Sequence, residues 1–324
     1  MFRARANPVG LLVSKSRPLE RAYATGSRPM SPRVRLLGPT LWSVAACSTI
    51  YLGCAAYEVY RDAQRAKEKG AHWSRKKTAP TFEDLQGLRD RAAANATSNR
   101  FSSSTLELPE FTDSADLTKS TMAVTAAIHL ASSFVPKMKH HFVHVPALSP
   151  NYTLLTSVFG HGGLLHLGFN LYAMLILMPS AANSPTLEGS SAHLAAFFTS
   201  AGILSSLASH LTAAWPGGTA YTAGLGASGA LLALLGVVGV SFPNTQVGII
   251  FLPGSIPIKE AMACLAVFDA IGIFVRYPFL RLGHAAHLGG LVLGVAYAKQ
   301  NGGENIWRPG RRVAFNAMRS LGMI

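Results

Sequence analysis

The chain has 324 residues, of which 49% are hydrophobic and only 14% charged, and its net charge is +14. Residues 120–298 contain only five bases and three acids, whereas about a quarter of the residues in a soluble domain are charged. These values exclude an ordinary soluble domain, a disordered protein and a secreted scaffold held by disulfides.

The N-terminal segment, residues 1–35, contains eight Lys and Arg residues and a single acid, Glu20. It has no apolar core of the kind that a secretory signal requires, and an Arg- and Ser-rich, acid-poor N-terminus is typical of a mitochondrial transit segment. The run from Arg21 to Ala24 is similar to a matrix-peptidase cleavage site. A solvated basic tail is the alternative interpretation. No nucleic-acid partner is predicted, because the bases lie in the two tails without interleaved aromatic residues.

Seven apolar stretches, six without a charged residue and the remaining one with only Asp269, predict an all-α, polytopic membrane protein. The first, Leu36–Tyr57, predicts an N-terminal transmembrane helix over residues 36–60, followed by a polar loop with some amphipathic helix over 61–117. A core over residues 118–300 precedes a basic tail over 301–324. The six spans expected in this core are Thr121–Val135, Leu164–Met178, Ser191–Ala213, Ser228–Phe242, Ala261–Val275 and His284–Ala298.

The fourth core span, Ser228–Phe242, is unusually short. Its 15 residues cover about 22 Å at a rise of 1.5 Å per residue, less than the roughly 30 Å of a hydrocarbon core. The end of such a helix lies below the membrane surface, where neighbouring helices can line a water-filled recess.

Polar groups begin three of the core spans, and ionisable residues inside a membrane are candidates for function. Alternating helices place the starts of the second, fourth and sixth spans on the same membrane face. The polar and glycine residues at these starts are therefore expected to meet: His161, His166 and Asn170 in the second, Gly226, Ser228 and Gly229 in the fourth, and His284, His287 and Gly290 in the sixth.

These residue types suit acyl transfer. Ser228 becomes a nucleophile when a base accepts its proton, and His287 is placed to be that base. The side chains of His166 and Asn170, with the backbone N–H of Ser228, can stabilise an oxyanion. Asp269 is expected in the middle of the fifth span, away from His287. The sequence therefore predicts a Ser-His dyad and not a triad.

Each motif also has a plainer interpretation. Gly226, Gly229 and Gly290 are expected to allow close helix packing, and His166 with Asn170 is compatible with a hydrogen bond that only joins helices. His284 and His287 lack the third ligand and the nearby carboxylate that a zinc site requires, so neither a metal nor a cofactor is predicted. The joint placement of all three motifs favours catalysis.

Together these motifs resemble those of the rhomboid intramembrane serine proteases, in their mitochondrial, presenilin-associated rhomboid-like branch. The resemblance covers about residues 118–300 and implies a six-helix rhomboid core plus one extra N-terminal transmembrane helix. It implies that Ser228 is the nucleophile and His287 the general base. By the same resemblance, His166 and Asn170 help to bind the oxyanion, and His161 and His284 are supporting residues.

The resemblance implies a multi-pass serine endopeptidase of the mitochondrial inner membrane, which cleaves in or near transmembrane segments. The implied substrates are single-pass proteins in the lipid bilayer, such as a dynamin-like GTPase and presequence-anchored inner-membrane proteins. One alternative is an inactive rhomboid-like protein that binds transmembrane helices without cutting them. Another is a small-molecule transporter, for which inverted repeats and discontinuous helices would be expected.

Overall fold

The computed structural model describes most of the chain from residue 34 onwards. The predicted transit segment up to residue 33, with its cleavage motif, lies outside the described residues, as do 69–80 and 102–112 of the predicted polar loop. Side chains are described for the helical residues other than 92–101 and 113. The described ranges are 34–68, 81–101, 113–215, 218, 220–248, 254–275 and 282–324.

The described part of the chain is a bundle of helices with one two-residue hairpin ladder. In this ladder, β1 (Gln246–Val247) pairs antiparallel with β2 (Ile256–Pro257). In chain order, the principal helices of the described ranges are α1 (Leu37–Glu68), α2 (Phe82–Phe101), α3 (Asp113–Phe134), α4 (Leu164–Ala182), α5 (Ser191–Thr212), α6 (Ser228–Ser241), α7 (Ile258–Phe274), α8 (His284–Lys299) and α9 (Arg308–Ser320).

The predicted all-α polytopic class is confirmed, and each predicted span overlaps one of the helices α1 and α3–α8. Among the described residues, α1, α4 and α5 are each long and apolar enough to cross a membrane by themselves, and α6 is apolar but shorter. The shortness of α6 agrees with the length expected from its sequence.

The segments flanking the core are more ordered than the sequence predicts. Helix α1 continues beyond Tyr57 to Glu68, and α2 occupies part of the predicted polar loop. The predicted basic tail is a turn of π-helix, Gly303–Trp307, followed by α9. Helix α9 is strongly amphipathic, and its apolar residues Ala314 and Phe315 are buried. An amphipathic helix is stabilised mainly by packing of its apolar face, which the sequence alone does not place.

Helix α6 lies at the centre of the bundle, where it contacts α4, α5, α7 and α8. Its residues are apolar all round, as expected of a helix enclosed by others. Helix α1 packs outside this core, against α5 and α9. Helix α5 therefore lies between the extra N-terminal helix and the helices that carry Ser228 and His287.

A buried cluster of charges joins α1, α2 and α9. Glu58 of α1 forms ion pairs with Arg89, whose Nη1 lies 2.7 Å from its carboxylate, and with Arg311, whose Nε lies 2.9 Å away. Arg311 Nη2 also lies 2.6 Å from Oδ2 of Asp62. The Trp307 indole N–H donates to Glu58 at 3.2 Å. The buried Glu58 and Arg311 are therefore paired with each other and with the partly buried Arg89 and Asp62, which offsets the cost of burying their charges.

We expect Arg311→Leu to destabilise the protein by about 3–5 kcal/mol, because it removes the fully buried one of the two guanidinium groups that pair with Glu58 and Asp62. Arg311 is fully buried, whereas the side chain of Arg312, next to it on α9, is 60% exposed and pairs with an exposed Glu83. Arg312→Leu is the matched control, and its effect should lie within about 0.5 kcal/mol. Thermal unfolding of the two variants in detergent gives the comparison, and equal melting temperatures would contradict the prediction.

Candidate active site

Ser228 begins helix α6 directly after a tight turn. Gly226 in this turn has φ +119°, a conformation that residues with side chains rarely adopt, and its N–H donates to the Ser157 carbonyl at 2.9 Å. A Cβ on Gly226 would lie 2.8 Å from the ring of His166. Gly226 was expected to serve helix packing; instead, it shapes the turn and gives His166 space beside Ser228.

Gly229 and Gly290 bring α6 and α8 together, as predicted. A Cβ on Gly229 would lie 2.5 Å from Ser205 Cβ on α5 and 3.2 Å from the Ala286 carbonyl oxygen on α8. A Cβ on Gly290 would overlap the backbone of Gly229. Only glycine allows these backbones to approach so closely.

This close approach places the predicted nucleophile beside the predicted base. Ser228 Oγ and His287 Nε2 are 2.8 Å apart, within hydrogen-bonding distance. His287 Nδ1 lies 3.3 Å from Oδ1 of Asp269. A carboxylate only accepts hydrogen bonds, so Nδ1 is assigned the proton, and Nε2 is then free to accept from the Ser228 hydroxyl.

The expectation that no acid faces His287 is therefore wrong. Asp269 is buried in the middle of α7, and its carboxylate points at α8. It lies 18 residues before His287 in the chain, and the rotation of α7 about its own axis decides which way it points. That rotation is set by packing between helices, so a mid-span position in the sequence does not reveal it. The group is a Ser-His-Asp arrangement and not an isolated dyad.

His284 shares this carboxylate. Its Nδ1 lies 2.7 Å from the same Asp269 Oδ1, nearer than Nδ1 of His287. His284 and His287 are three residues apart and lie on one face of α8. The sequence placed His284 among the supporting residues, and the structure shows that its contact is with the acid.

His166 lies beside Gly226, two residues before Ser228, and is in contact with His161 and Asn170. Asn170 donates one amide N–H to the His166 carbonyl at 2.8 Å, which leaves its second N–H for another acceptor. The rings of His161 and His166 have centroids 5.0 Å apart. Burial lowers the pKa of His161 to about 4, and the neighbouring His166 contributes a smaller effect in the same direction. His161 is therefore neutral at physiological pH.

A further histidine, His144, is buried in the segment between α3 and α4 and was not among the predicted site residues. Its backbone exchanges two hydrogen bonds with Gly224, at 2.9 and 2.8 Å, just upstream of Ser228. Its Nε2 lies 2.8 Å from Nδ1 of His210, whose Nε2 donates to the Arg35 carbonyl at 2.6 Å. Burial and the neighbouring His210 lower the pKa of His144 to about 4. A lone histidine in a loop carries no signal for such a network.

Within the described ranges, no group of three metal-binding side chains is arranged to hold a metal ion.

The comparisons with known proteins agree with the predicted resemblance. Residues 150–300 match the family model described as Rhomboid domain. Mitochondrial presenilin-associated rhomboid-like proteins of Rattus norvegicus and Homo sapiens are each 32% identical over 156 residues, which is 48% of this chain and 39% of theirs. Mitochondrial rhomboid protein 1 of Saccharomyces cerevisiae is 32% identical over 151 residues, 45% of this chain and 40% of that protein. The matched region thus spans about two fifths of each of these relatives.

Proposed function

We propose that this chain is an intramembrane serine endopeptidase. The premise is that residues 150–300 form a Rhomboid domain in a membrane protein of the mitochondrial rhomboid branch. The observation that carries the proposal is the 2.8 Å contact between Ser228 Oγ and His287 Nε2, with Asp269 behind His287. A hydroxyl hydrogen-bonded to an imidazole, which is oriented in turn by a carboxylate, is the arrangement that activates a serine.

The reaction follows from this geometry. His287 takes the proton of Ser228 as the oxygen attacks a substrate carbonyl, and Asp269 stabilises the imidazolium that forms. In this proposal the backbone N–H of Ser228, at the start of a helix, and the side chains of His166 and Asn170 stabilise the oxyanion. His287 then gives its proton to the leaving amine, and water releases the acyl group by the reverse sequence.

The length of α6 supports a water-accessible site within the membrane. A helix of 14 residues rises about 21 Å, less than the roughly 30 Å hydrocarbon core, so its first residue lies below the surface. The His287 side chain is 14% exposed at the surface of the protein. In this proposal, the water that hydrolysis consumes reaches Ser228 through that opening.

The proposed location is the mitochondrial inner membrane, and the proposed substrates are single-pass proteins cleaved in or near their transmembrane segments. A dynamin-like GTPase and presequence-anchored inner-membrane proteins remain the proposed examples. The alternative, an inactive rhomboid-like protein that binds transmembrane helices, predicts the same fold but an unreactive Ser228. The chemical reactivity of Ser228 therefore decides between the two.

Covalent labelling by a fluorophosphonate probe tests the proposal without a known substrate. The full chain in detergent should be labelled at Ser228, as located by peptide mass spectrometry, and Ser228→Ala and His287→Ala should abolish the labelling. Ser241→Ala, at the far end of α6, is the matched control and should be labelled like the wild type. Folded wild-type protein that resists the probe would overturn the protease proposal in favour of the inactive protein.

A further inference from the structure

We propose that His284 is a positioning residue for the reaction: it holds the Asp269 carboxylate in the place from which that carboxylate orients His287. The inference rests on the proposed serine-protease function and adds a fourth residue to the site. Nδ1 of His284 contacts Asp269 Oδ1 at 2.7 Å, and His284 acts on the reaction through this carboxylate.

The distances assign the stronger contact to His284. Asp269 Oδ1 is 2.7 Å from Nδ1 of His284 and 3.3 Å from Nδ1 of His287. The first value is typical of a strong hydrogen bond to a carboxylate, and the second lies near the limit for one. The position of the carboxylate is therefore fixed mainly by His284, and its contact with His287 follows from that position.

The surroundings hold the His284 ring in one place. Its centroid lies 5.3 Å from that of Phe268, in an edge-to-face arrangement, and the residue is only 7% exposed. A Cβ on Gly272 would lie 2.5 Å from three atoms of this ring. Phe268, Asp269 and Gly272 all lie on α7, so one helix provides both the cavity for the imidazole and the acceptor for its N–H.

This arrangement has a consequence for catalysis. Among the described residues, a carboxylate without His284 keeps the longer contact to His287, and rotation about its side-chain bonds would move it away from that ring. A displacement of about 1 Å in such a group costs up to about 100-fold in rate, because the reacting geometry is then populated less often. Binding of substrate or probe, which does not involve Asp269, should change little.

An isosteric pair of substitutions tests the inference. Asn carries an amide N–H that can replace the Nδ1 donor, whereas Leu has nearly the same shape and no donor. We expect His284→Leu to lower the maximal labelling rate of Ser228 by a fluorophosphonate, kinact, by about 10- to 100-fold, with the half-saturating probe concentration unchanged. His284→Asn should restore most of kinact. In an Asp269→Asn background, His284→Leu should cause no further loss, because the two residues act in series.

Several results would overturn the inference. These are a wild-type kinact in His284→Leu, equal losses in the Leu and Asn variants, or a loss that adds to that of Asp269→Asn. If His284→Leu does not fold, Gly272→Ala displaces the ring without removing it, and an unchanged kinact in that variant would also reject the inference. Failure of the proposed function looks different, because the wild-type protein itself would then not be labelled at Ser228.

Discussion

Ser228→Ala is expected to reduce cleavage of a single-span reporter protein by about 10⁴-fold or more, since removing the nucleophile of such a site removes the covalent route entirely. The fold should survive. Ser228 begins an apolar helix between buried Ala227 and Gly229, a place where alanine packs as well as serine. Initial cleavage rates in proteoliposomes, with the melting temperature of the same preparations, measure both expectations.

His287→Ala should lose activity to a similar extent, because Ser228 without its base keeps its proton. His140→Ala is the matched control and should cleave like the wild type, because His140 is an exposed residue of the short 3-10 helix, Pro136–His141, that follows α3. Near-wild-type cleavage by Ser228→Ala would refute the assignment of the nucleophile. Cleavage by His287→Ala together with an inactive His284→Asn would show that the base is His284.

Gly290→Val is expected to lose stability and activity together. The new side chain would overlap the backbone of Gly229 and come within 2.9 Å of Ser205 Oγ. Backbone atoms cannot move aside as a side chain can, so the loss should exceed about 3 kcal/mol, the upper range for an overpacked core. Separation of α6 from α8 also separates Ser228 from His287, so cleavage should fall with the melting temperature.

Gly168→Val separates this effect from the general cost of replacing a helical glycine by valine. Gly168 lies in α4, and a Cβ there would meet no atom within 4 Å. Its variant should keep the melting temperature of the wild type. Lost cleavage in Gly290→Val with an unchanged melting temperature would mean that the glycine serves the substrate and not helix packing.

The sequence was sufficient to predict the fold class of the protein and the approach of Ser228 to His287. Uncharged stretches mark the helices because charge is costly in a hydrocarbon core, so hydropathy identifies spans without knowledge of their packing. Alternation of successive spans then predicts that the segments carrying His166, Ser228 and His287 begin on one side. The 2.8 Å contact between Ser228 and His287 has the geometry that this reasoning anticipated.

Only the tertiary structure decided which further side chains contact the Ser228–His287 pair. Asp269 lies in a helix that is apolar nearly all round, so its sequence gives no amphipathic signal for its rotation. Packing against α8 turns Asp269 and the cavity at Gly272 toward the two histidines. The same holds for Glu58 and Arg311, which are 253 positions apart and meet because α9 folds back on α1. Composition and spacing are local properties of a chain, whereas the rotation of a helix and the docking of a tail depend on every surface packed against them.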